Sequence, residues 1–384
     1  MSHGGIRAWY LIHKWTSLVC TLFLLILCLT GLPLIFHDEL ADALGDTPQL
    51  AAVEPGTKPP TLDRIVAIAL ATRPGDVVQY LGFDADRPVV TIGLASAYDS
   101  PPDKVHPQPI DLRTGALVPP PPRDTGFLWF VTELHETLFL DQPGQYFIGI
   151  MGVLFMLAVV SGVVVYAPFM RKLDYGVVRS GRSARLRWLD LHNLLGISVT
   201  AWLLVVAVTG IFNTLDRPLA MHWRNTQLAE MMAPYRNAPP LHRIGSLDVA
   251  AATARRASPG MDIASISYPG TFFSTPHHFN IFMRGASPVT ARLIKPTLVD
   301  AATGTLTDTR DMPLLIRALL LSRPLHFGDY GGLVLKIVWA LLDIVAILIL
   351  GSGLYLWIGR RSGPTARRVD EIVTGGSDEF EGMA

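Results

Sequence analysis

Four long apolar runs place the strongest constraint on what this chain can fold into. They cover residues 15–36, 146–169, 191–215 and 332–358. Each run is long enough to cross roughly 30 Å of hydrocarbon as a helix. Hydrophobic residues make up 50% of the chain and charged residues only 17%, a composition typical of membrane proteins. We therefore predict an integral membrane protein built on an α-helical bundle of four spans.

Basic residues predict how these spans are oriented. They concentrate after the second run and after the fourth: Arg171, Lys172, Arg179, Arg182, Arg185, Arg187, Arg360, Arg361, Arg367 and Arg368. The opposite ends of the runs carry acidic residues instead, such as Asp38, Glu39 and Asp329. The positive-inside rule places the basic segments in the cytoplasm, so both termini are predicted to be cytoplasmic. A multi-pass protein of the bacterial inner membrane follows, in contact with lipid.

The spans divide the chain into eight parts. Transmembrane helices are predicted at 1–37, 144–170, 191–215 and 331–359, with a basic cytoplasmic loop at 171–190 and a cytoplasmic tail at 360–384. The segments 38–143 and 216–330 are then periplasmic and too long to be plain loops. Each holds a helical stretch, at 62–72 or 247–257, followed by alternating strand-like runs, such as 89–92 and 279–282. We expect two periplasmic α+β lobes, with the proline-rich stretches 101–109 and 118–122 as linkers or edge loops.

The second half of the chain repeats features of the first at a nearly constant offset. The same spacing separates His13 from His192 and Thr30-Gly31 from Thr209-Gly210. Further matched pairs follow along both halves: Leu134-His135 with Leu325-His326, and Ser161-Gly162 with Ser352-Gly353. An internal two-fold repeat in one orientation predicts a pseudo-twofold axis along the membrane normal.

Four histidines fall at matched positions of this repeat. His13 and His192 begin spans at the predicted cytoplasmic face, whereas His135 and His326 precede spans at the periplasmic face. Neutral imidazoles that approach from opposite sides of an axis can ligate haem iron axially. The sequence contains no CxxCH motif, so two haems of the b type are predicted, one per pair. His37, whose repeat counterpart is Asp216, is a fifth candidate ligand, proton carrier or substrate contact.

Other interpretations of these residues stay open. Histidines at a membrane interface can sit at headgroup level without binding anything. A site for a metal alone is less favoured, because no carboxylate or thiolate accompanies the histidines in the predicted bundle. Small residues could serve close helix packing or make room for a porphyrin edge: Gly149, Gly152, Gly162, Gly210, Gly351 and Gly353. Nucleic-acid binding is not expected, since the formal net charge is +0 and no polybasic face is visible.

With these residues identified, the chain resembles the PepSY-associated transmembrane family over nearly its whole length. The resemblance rests on short motifs of the first span and on two repeated turns: His13-Lys14-Trp15-Thr16, Leu29-Thr30-Gly31, Phe36-His37-Asp38-Glu39-Leu40, Asp111-Leu112-Arg113-Thr114-Gly115 and Asp300-Ala301-Ala302-Thr303-Gly304. Within that family the best match is to the inner-membrane siderophore reductases, which are similar in length, span count and histidine placement.

The resemblance implies a two-haem protein that reduces ferric siderophore in the periplasm and thereby releases ferrous iron. His13 and His192 would receive the electron, and His135 and His326 would deliver it. The sequence has no nucleotide-binding GxGxxG motif after a strand, so a quinol or a separate cytoplasmic reductase would be the donor. No catalytic side chain is identified. A siderophore or peptide permease and a periplasmic ligand-binding sensor are the alternative functions.

Overall fold

The computed structural model describes residues 3–170, 178–179, 183–239, 241–287 and 290–358. Half of the predicted basic loop, at 171–177 and 180–182, and all of the predicted tail lie outside these residues. The chain divides into two compact units. A helical unit contains residues 1–40, 124–215 and 322–384, and an α+β unit contains residues 41–123 and 216–321.

The helical unit is built on long apolar helices that correspond to the predicted spans. They are α1 (His3–Ile35), α5 (Asp141–Met170), α6 (Ala184–Thr214) and α11 (Gly332–Ile358). Helices α1 and α6 each pack against both α5 and α11, which gives a four-helix bundle. Only 17–28% of the most apolar window of each helix is buried, so most of its apolar surface faces outwards and requires a bilayer to cover it. The protein is therefore a helical membrane protein with an added α+β part.

Two of these helices begin earlier than the sequence predicted, and α5 does so by three residues, at Asp141 rather than at 144. Helix α6 starts at Ala184 rather than at 191, within the predicted basic loop. Its first turns carry Arg185 and Arg187, and Asp190 forms an ion pair with Arg179 at 2.8 Å. Charged residues end an apolar run without ending a helix, because backbone hydrogen bonding continues where side chains reach water.

Short helices connect to the bundle. They are α2 (His37–Leu44), α4 (Gly126–Glu136) and α10 (Leu314–Phe327). A tight turn leads from α4 to α5, in which Leu138, Phe139 and Asp141 have φ of 53°, 59° and 50°. Gly144 is needed there, because a Cβ at this position would lie 1.7 Å from the Thr137 carbonyl oxygen. Such left-handed residues persist only where the surrounding structure holds them, so this turn fixes where α4 ends.

The α+β unit contains one antiparallel sheet of seven strands. Its remaining helices are α3 (Leu62–Thr72), α7 (Asp216–Trp223), α8 (Ala229–Met231) and α9 (Leu247–Ala257). The strands are β1 (Val77–Phe83), β2 (Val89–Ala95), β3 (His106–Asp111), β4 (Met261–Ser267), β5 (His278–Gly285), β6 (Ile294–Asp300) and β7 (Leu306–Thr309). Their order across the sheet is β3-β2-β1-β4-β5-β6-β7. Helices α3 and α9 pack on the sheet and supply Ile65, Ala69, Leu247 and Ala251 to its core.

Residues 41–123 and 216–321 of the two segments thus share one unit and one sheet, and the expectation of two lobes is not confirmed. Strand β1 of the first segment pairs with β4 of the second, with Leu81 opposite Ile266. Each segment alone would leave an unpaired strand edge, and pairing the two edges satisfies the backbone groups of both. The prediction of a linker or edge loop at 101–109 is also corrected in part. It enters the edge strand β3, where a missing amide hydrogen is tolerated.

The N-termini of α3 and α9 hold each other through exchanged carboxylates. The Asp248 carboxylate accepts the amides of Leu62 and Asp63 at 2.9 and 3.0 Å. In return, the Asp63 carboxylate accepts the Leu247 amide at 2.7 Å and the Ser246 hydroxyl at 2.5 Å. Each carboxylate satisfies amides that have no partner within their own helix, and each lies at the positive end of the other helix dipole. This clamp joins the two halves of the unit.

Candidate functional site

The helical unit brings the four matched histidines together as two facing pairs. The ring centroids of His13 and His192 are 6.3 Å apart at an interplanar angle of 67°. Those of His135 and His326 are 6.4 Å apart at 66°. Helices α1 and α6 carry the first pair, and α4 and α10 carry the second. The two pairs have the same geometry within 0.1 Å and 1°.

The first histidine pair is oriented by carbonyl groups that bind Nδ1. His13 Nδ1 donates to the Ala158 carbonyl at 2.8 Å. His192 Nδ1 is 3.1 Å from the Ile349 carbonyl oxygen and 2.9 Å from the Ser352 hydroxyl. A carbonyl oxygen only accepts, so the proton of each neutral ring lies on Nδ1 and the Nε2 lone pair is left available.

The second pair repeats this arrangement. His326 Nδ1 is 3.1 Å from both the Val206 carbonyl oxygen and the Thr209 hydroxyl. His135 Nδ1 is 2.9 Å from the Thr30 hydroxyl. That hydroxyl donates its own hydrogen to the Ile26 carbonyl at 2.7 Å, so it accepts from the imidazole. A metal-ligating histidine generally makes such a hydrogen bond with its other nitrogen, which fixes both tautomer and ring orientation.

Each imidazole ring also lies against a glycine. A Cβ on Gly162 would lie 3.1 Å from His13 Cε1, and one on Gly353 would lie 3.3 Å from His192 Cε1. In the second pair the corresponding distances are 3.2 Å from Gly31 to His135 and 3.1 Å from Gly210 to His326. Every one of these glycines follows the serine or threonine of a repeated Ser-Gly or Thr-Gly pair. The glycines therefore give the histidines room to pack against the neighbouring helix.

The other glycines singled out in the sequence divide between packing and open space. A Cβ on Gly149 would meet Thr214 Oγ1 at 2.5 Å, and one on Gly152 would meet Ile211 Cγ1 at 3.0 Å. Gly351 has no atom within 4 Å of such a position. Gly149 and Gly152 therefore serve close helix packing.

The separation of the rings fits two axial ligands on one metal atom. A metal–imidazole nitrogen bond is about 2.0 Å long and the ring centre lies about 1.1 Å further, so two rings on opposite sides would have centroids about 6.2 Å apart. The observed 6.3 and 6.4 Å agree with this value. Aromatic rings packed edge to face also have centroids about 4.5–7 Å apart, so the separation is compatible with ligation and with direct packing alike.

The set of donors favours a metal that brings its own equatorial ligands. Among the described residues, no group of three or more His, Cys, Asp or Glu side chains lies together in a way that could hold a bare ion. Zinc sites in proteins take three or four side chains. In haem, the porphyrin supplies four nitrogens to the iron, so the protein provides only the axial ligands. The two histidines of each pair therefore fit a b-type haem.

Burial keeps the second pair in the neutral form that ligation needs. His135 and His326 lie on α4 and α10, outside the four apolar spans. Loss of hydration on burial lowers the pKa of each imidazole to about 4. At neutral pH both rings are uncharged, which is the state in which a histidine binds a metal.

A cavity of about 280 Å³ adjoins the first pair. Its lining includes both histidine rings, their glycines Gly162 and Gly353, and the basic residues Lys14 and Arg185. Basic side chains bind carboxylates well. The cavity therefore offers apolar walls and cationic groups beside an imidazole pair.

The remaining candidate, His37, lies apart from both pairs, and sequence reasoning overlooked two features of the helical unit. His37 is the first residue of α2, and its half-exposed ring lies 3.2 Å from Asp38; among the described ring contacts it joins neither pair. Sequence reasoning used the Ser-Gly and Thr-Gly pairs only as markers of the repeat and did not recognise them as the groups that hold the histidines. It also overlooked Lys336, a buried residue of α11 that binds Glu39 at 2.8 Å.

Comparison with known proteins identifies the family. The family model described as the PepSY-associated TM region matches residues 10–360. "Uncharacterized protein PA4219" of Pseudomonas aeruginosa is 31% identical over 258 residues. That similarity covers 61% of this chain and 64% of the relative, so the chain spans less than two thirds of the relative's length. Because the family model matches most of the length of this chain, the chain belongs to the PepSY-associated transmembrane family.

Proposed function

We propose that this protein is a di-haem electron-transfer protein of the bacterial inner membrane that reduces ferric siderophores in the periplasm. The observation that carries the proposal is the pair of facing histidine sites with centroid separations of 6.3 and 6.4 Å. Each site offers two neutral Nε2 atoms, and each ring is held by a carbonyl or hydroxyl acceptor and a glycine contact. Equivalent sites at two positions of one bundle are what a transmembrane electron path requires.

The residues of the chain would act by holding and orienting the cofactor. His13 and His192 would ligate one b-type haem, and His135 and His326 the other. Haem b, when bound, supplies one-electron redox chemistry whose potential depends on the axial ligands and the hydrogen bonds behind them. Lys14 and Arg185 would bind carboxylates at the cavity beside the first pair.

The proposed reaction transfers one electron per ferric ion. A quinol or a separate cytoplasmic reductase would supply the electron on the side of the first pair. Ferric iron bound by the siderophore would accept it on the side of the second pair and become ferrous. Oxygen chelators hold ferrous iron much more weakly, so the metal would be released. The α+β unit, with its segments at 41–123 and 216–321, would face the periplasm and hold the siderophore.

The resemblance to inner-membrane siderophore reductases, such as ferrioxamine reductase, supports this substrate class. The test uses purified holoprotein that has been reduced anaerobically with a stoichiometric amount of dithionite and then mixed with ferric ferrioxamine B. We expect the reduced haem bands to disappear and a ferrous chelator such as ferrozine to trap one ferrous ion per electron lost. Gallium(III) ferrioxamine B, which has the same shape but accepts no electron, is the matched control.

Two outcomes would count against the proposal in different ways. Haem that is oxidised no faster by the ferric than by the gallium complex would exclude siderophore reduction while leaving electron transfer intact. Protein that contains no haem when produced with ample haem supply would exclude the redox function altogether. The permease and sensor functions would then be tested through ligand binding by the α+β unit.

A further inference from the structure

A buried carboxyl group of the bundle has no role in the function proposed so far. Asp343 lies in the middle of α11 and is only 7% exposed. Cys28 of α1 lies beside it, in an apolar cluster that includes Leu342 and Val345 of α11. Its Oδ2 atom is buried and has no hydrogen-bond partner among the described residues. An ionised carboxylate in such surroundings is costly, and ionisable residues inside membranes usually serve a function.

Two further polar groups without partners lie in the same region. The indole nitrogens of Trp202 and Trp339 are buried and make no hydrogen bond within the described part of the chain. Their rings pack edge to face with centroids 6.5 Å apart. Trp339 precedes Asp343 by one helical turn and so shares its face of α11. Around Asp343, two donors and one acceptor thus lack partners among the described residues, a combination that suits a transient proton or an ordered water molecule.

This polar cluster is close in sequence to the groups that hold the second histidine pair. On α1, Cys28 is two residues from Thr30, which binds His135. On α6, Trp202 is one turn from Val206, whose carbonyl binds His326. Measured in the same way, the first pair is further away, since Asp343 is six residues along α11 from Ile349, whose carbonyl binds His192, or about 9 Å at the rise of an α-helix. A charge change at the second pair would therefore act on Asp343 through a medium that screens little.

The repeat places no acid at the equivalent position in the other half. The residues that match Asp343 and Cys28 are Gly152 and Ala207. Ile211 fills the space beside Gly152, at 3.0 Å from where its Cβ would be. The carboxyl group is therefore specific to one half of a bundle whose histidine sites are otherwise alike.

We propose that Asp343 is a redox-linked proton site. It would take up a proton from water when the haem held by His135 and His326 receives an electron, and it would release that proton when the electron leaves. Burial favours the neutral acid and the positive charge of an oxidised haem favours the carboxylate, so adding an electron shifts the balance towards the acid. One proton accompanies one electron, and the donor is the quinol or reductase named above. This inference rests on the proposed function.

The experiment must distinguish proton uptake by Asp343 from proton uptake by other ionisable groups on the helices packed around it. They are the Cys28 thiol on α1, Lys336 with its partner Glu39, and Asp329 in the turn before α11. Lys336 lies two turns from Asp343 and is already paired. The discriminating variants are therefore Asp343→Asn, which cannot ionise, and Cys28→Ala, which removes the thiol but keeps the acid.

The experiment is a spectroelectrochemical titration of the holoprotein in detergent across about pH 5 to pH 9. The midpoint potential that is missing in the His135→Ala variant is assigned to the haem held by His135 and His326. We expect its midpoint potential to fall with rising pH by up to about 59 mV per unit, the limit for one proton per electron. Asp343→Asn should lose most of this slope, whereas Cys28→Ala and Asp343→Glu should keep it. The potential of the first haem should respond little to any of these changes.

A second measurement on the unaltered protein covers the case in which Asp343→Asn does not fold. The reduced-minus-oxidised infrared difference spectrum should contain a new protonated-carboxyl band that shifts in D₂O. Absence of that band, or an unchanged slope in Asp343→Asn, would overturn the proton site while leaving the haem assignment in place. Absence of haem by pyridine haemochrome would overturn the proposed function together with this inference.

Discussion

Two glycines of α11 provide a sensitive test of the first histidine site. A Cβ added at Gly353 would lie 3.3 Å from His192 Cε1, whereas one added at Gly351 would meet no atom within 4 Å. Both residues lie in the same turn of the same helix, so replacement by alanine brings the same gain in helix propensity, about 1 kcal/mol. Any difference between Gly353→Ala and Gly351→Ala therefore reports contact with the imidazole.

The size of that difference follows from the contact distance. Carbon atoms pack best at about 3.5–4.0 Å, so the His192 ring must move by a few tenths of an ångström to accept the methyl group. Overpacking of this kind costs about 1–3 kcal/mol. Metal ligation tolerates deviations of about 0.2 Å, so the displaced Nε2 would also bind iron less well. We expect haem affinity at the first site to fall about tenfold or more in Gly353→Ala, since about 1.4 kcal/mol corresponds to one factor of ten.

The assay is haem retention after a fixed dilution in detergent, measured by the pyridine haemochrome and by the visible spectrum of the remaining haem. Gly351→Ala should retain both haems and unfold at or above the temperature of the parent. Gly353→Ala should lose the haem of His13 and His192 selectively, and Gly353→Val more completely. Equal retention in the two alanine variants would refute the argument that the glycine exists to accommodate the imidazole.

Three further predictions follow from individual contacts. Asp248→Ala removes the acceptor of two amides at the start of α3, and we expect the α+β unit to lose about 1–3 kcal/mol, measurable as faster hydrogen exchange in α3. Burial lowers the pKa of His278 to about 4 from 6.5. The unfolded chain therefore binds this proton first as pH falls, and the same unit should lose on the order of 3 kcal/mol between pH 6.5 and 4, with less loss in His278→Gln. Thr209→Val removes one acceptor of His326 Nδ1 and should raise the potential of that haem by about tens of millivolts, whereas Thr209→Ser should restore it.

The sequence predicted the helices and strands best where local chemistry decides them. Helix α3 begins at Leu62 because the Thr61 hydroxyl accepts the Arg64 amide, and α9 begins at Leu247 because Ser246 accepts the Val249 amide. The start of α6 was predicted too late, since hydropathy marks where apolar residues begin and not where helical hydrogen bonding begins. The joining of β1 to β4 has no local signal, because it pairs residues such as Leu81 and Ile266 that are far apart in the sequence.

The candidate site could be predicted in its members but not in its fine structure. The repeat identified His13, His192, His135 and His326, and the structure brings them together as the two expected pairs. Their role as haem ligands stays a prediction. The hydrogen bonds to Nδ1 could not be read from the sequence, because they come from carbonyl groups of neighbouring helices, whose identity depends on packing. The repeated Ser-Gly and Thr-Gly pairs were visible in the sequence. Their contacts with the histidine rings depend on how the helices pack, so only the structure shows them.

Haem content is the decisive measurement for ligation by the two histidine pairs. The purified protein and the variants His13→Ala, His192→Ala, His135→Ala and His326→Ala are compared by pyridine haemochrome, with His222→Ala, an exposed histidine of α7, as the matched control. We expect two b-type haems in the parent and in the control. We expect one haem in each of the four variants, with the same spectrum and potential for the two members of a pair. Protein without haem, or variants that lose haem without regard to the pairs, would contradict ligation by these histidines.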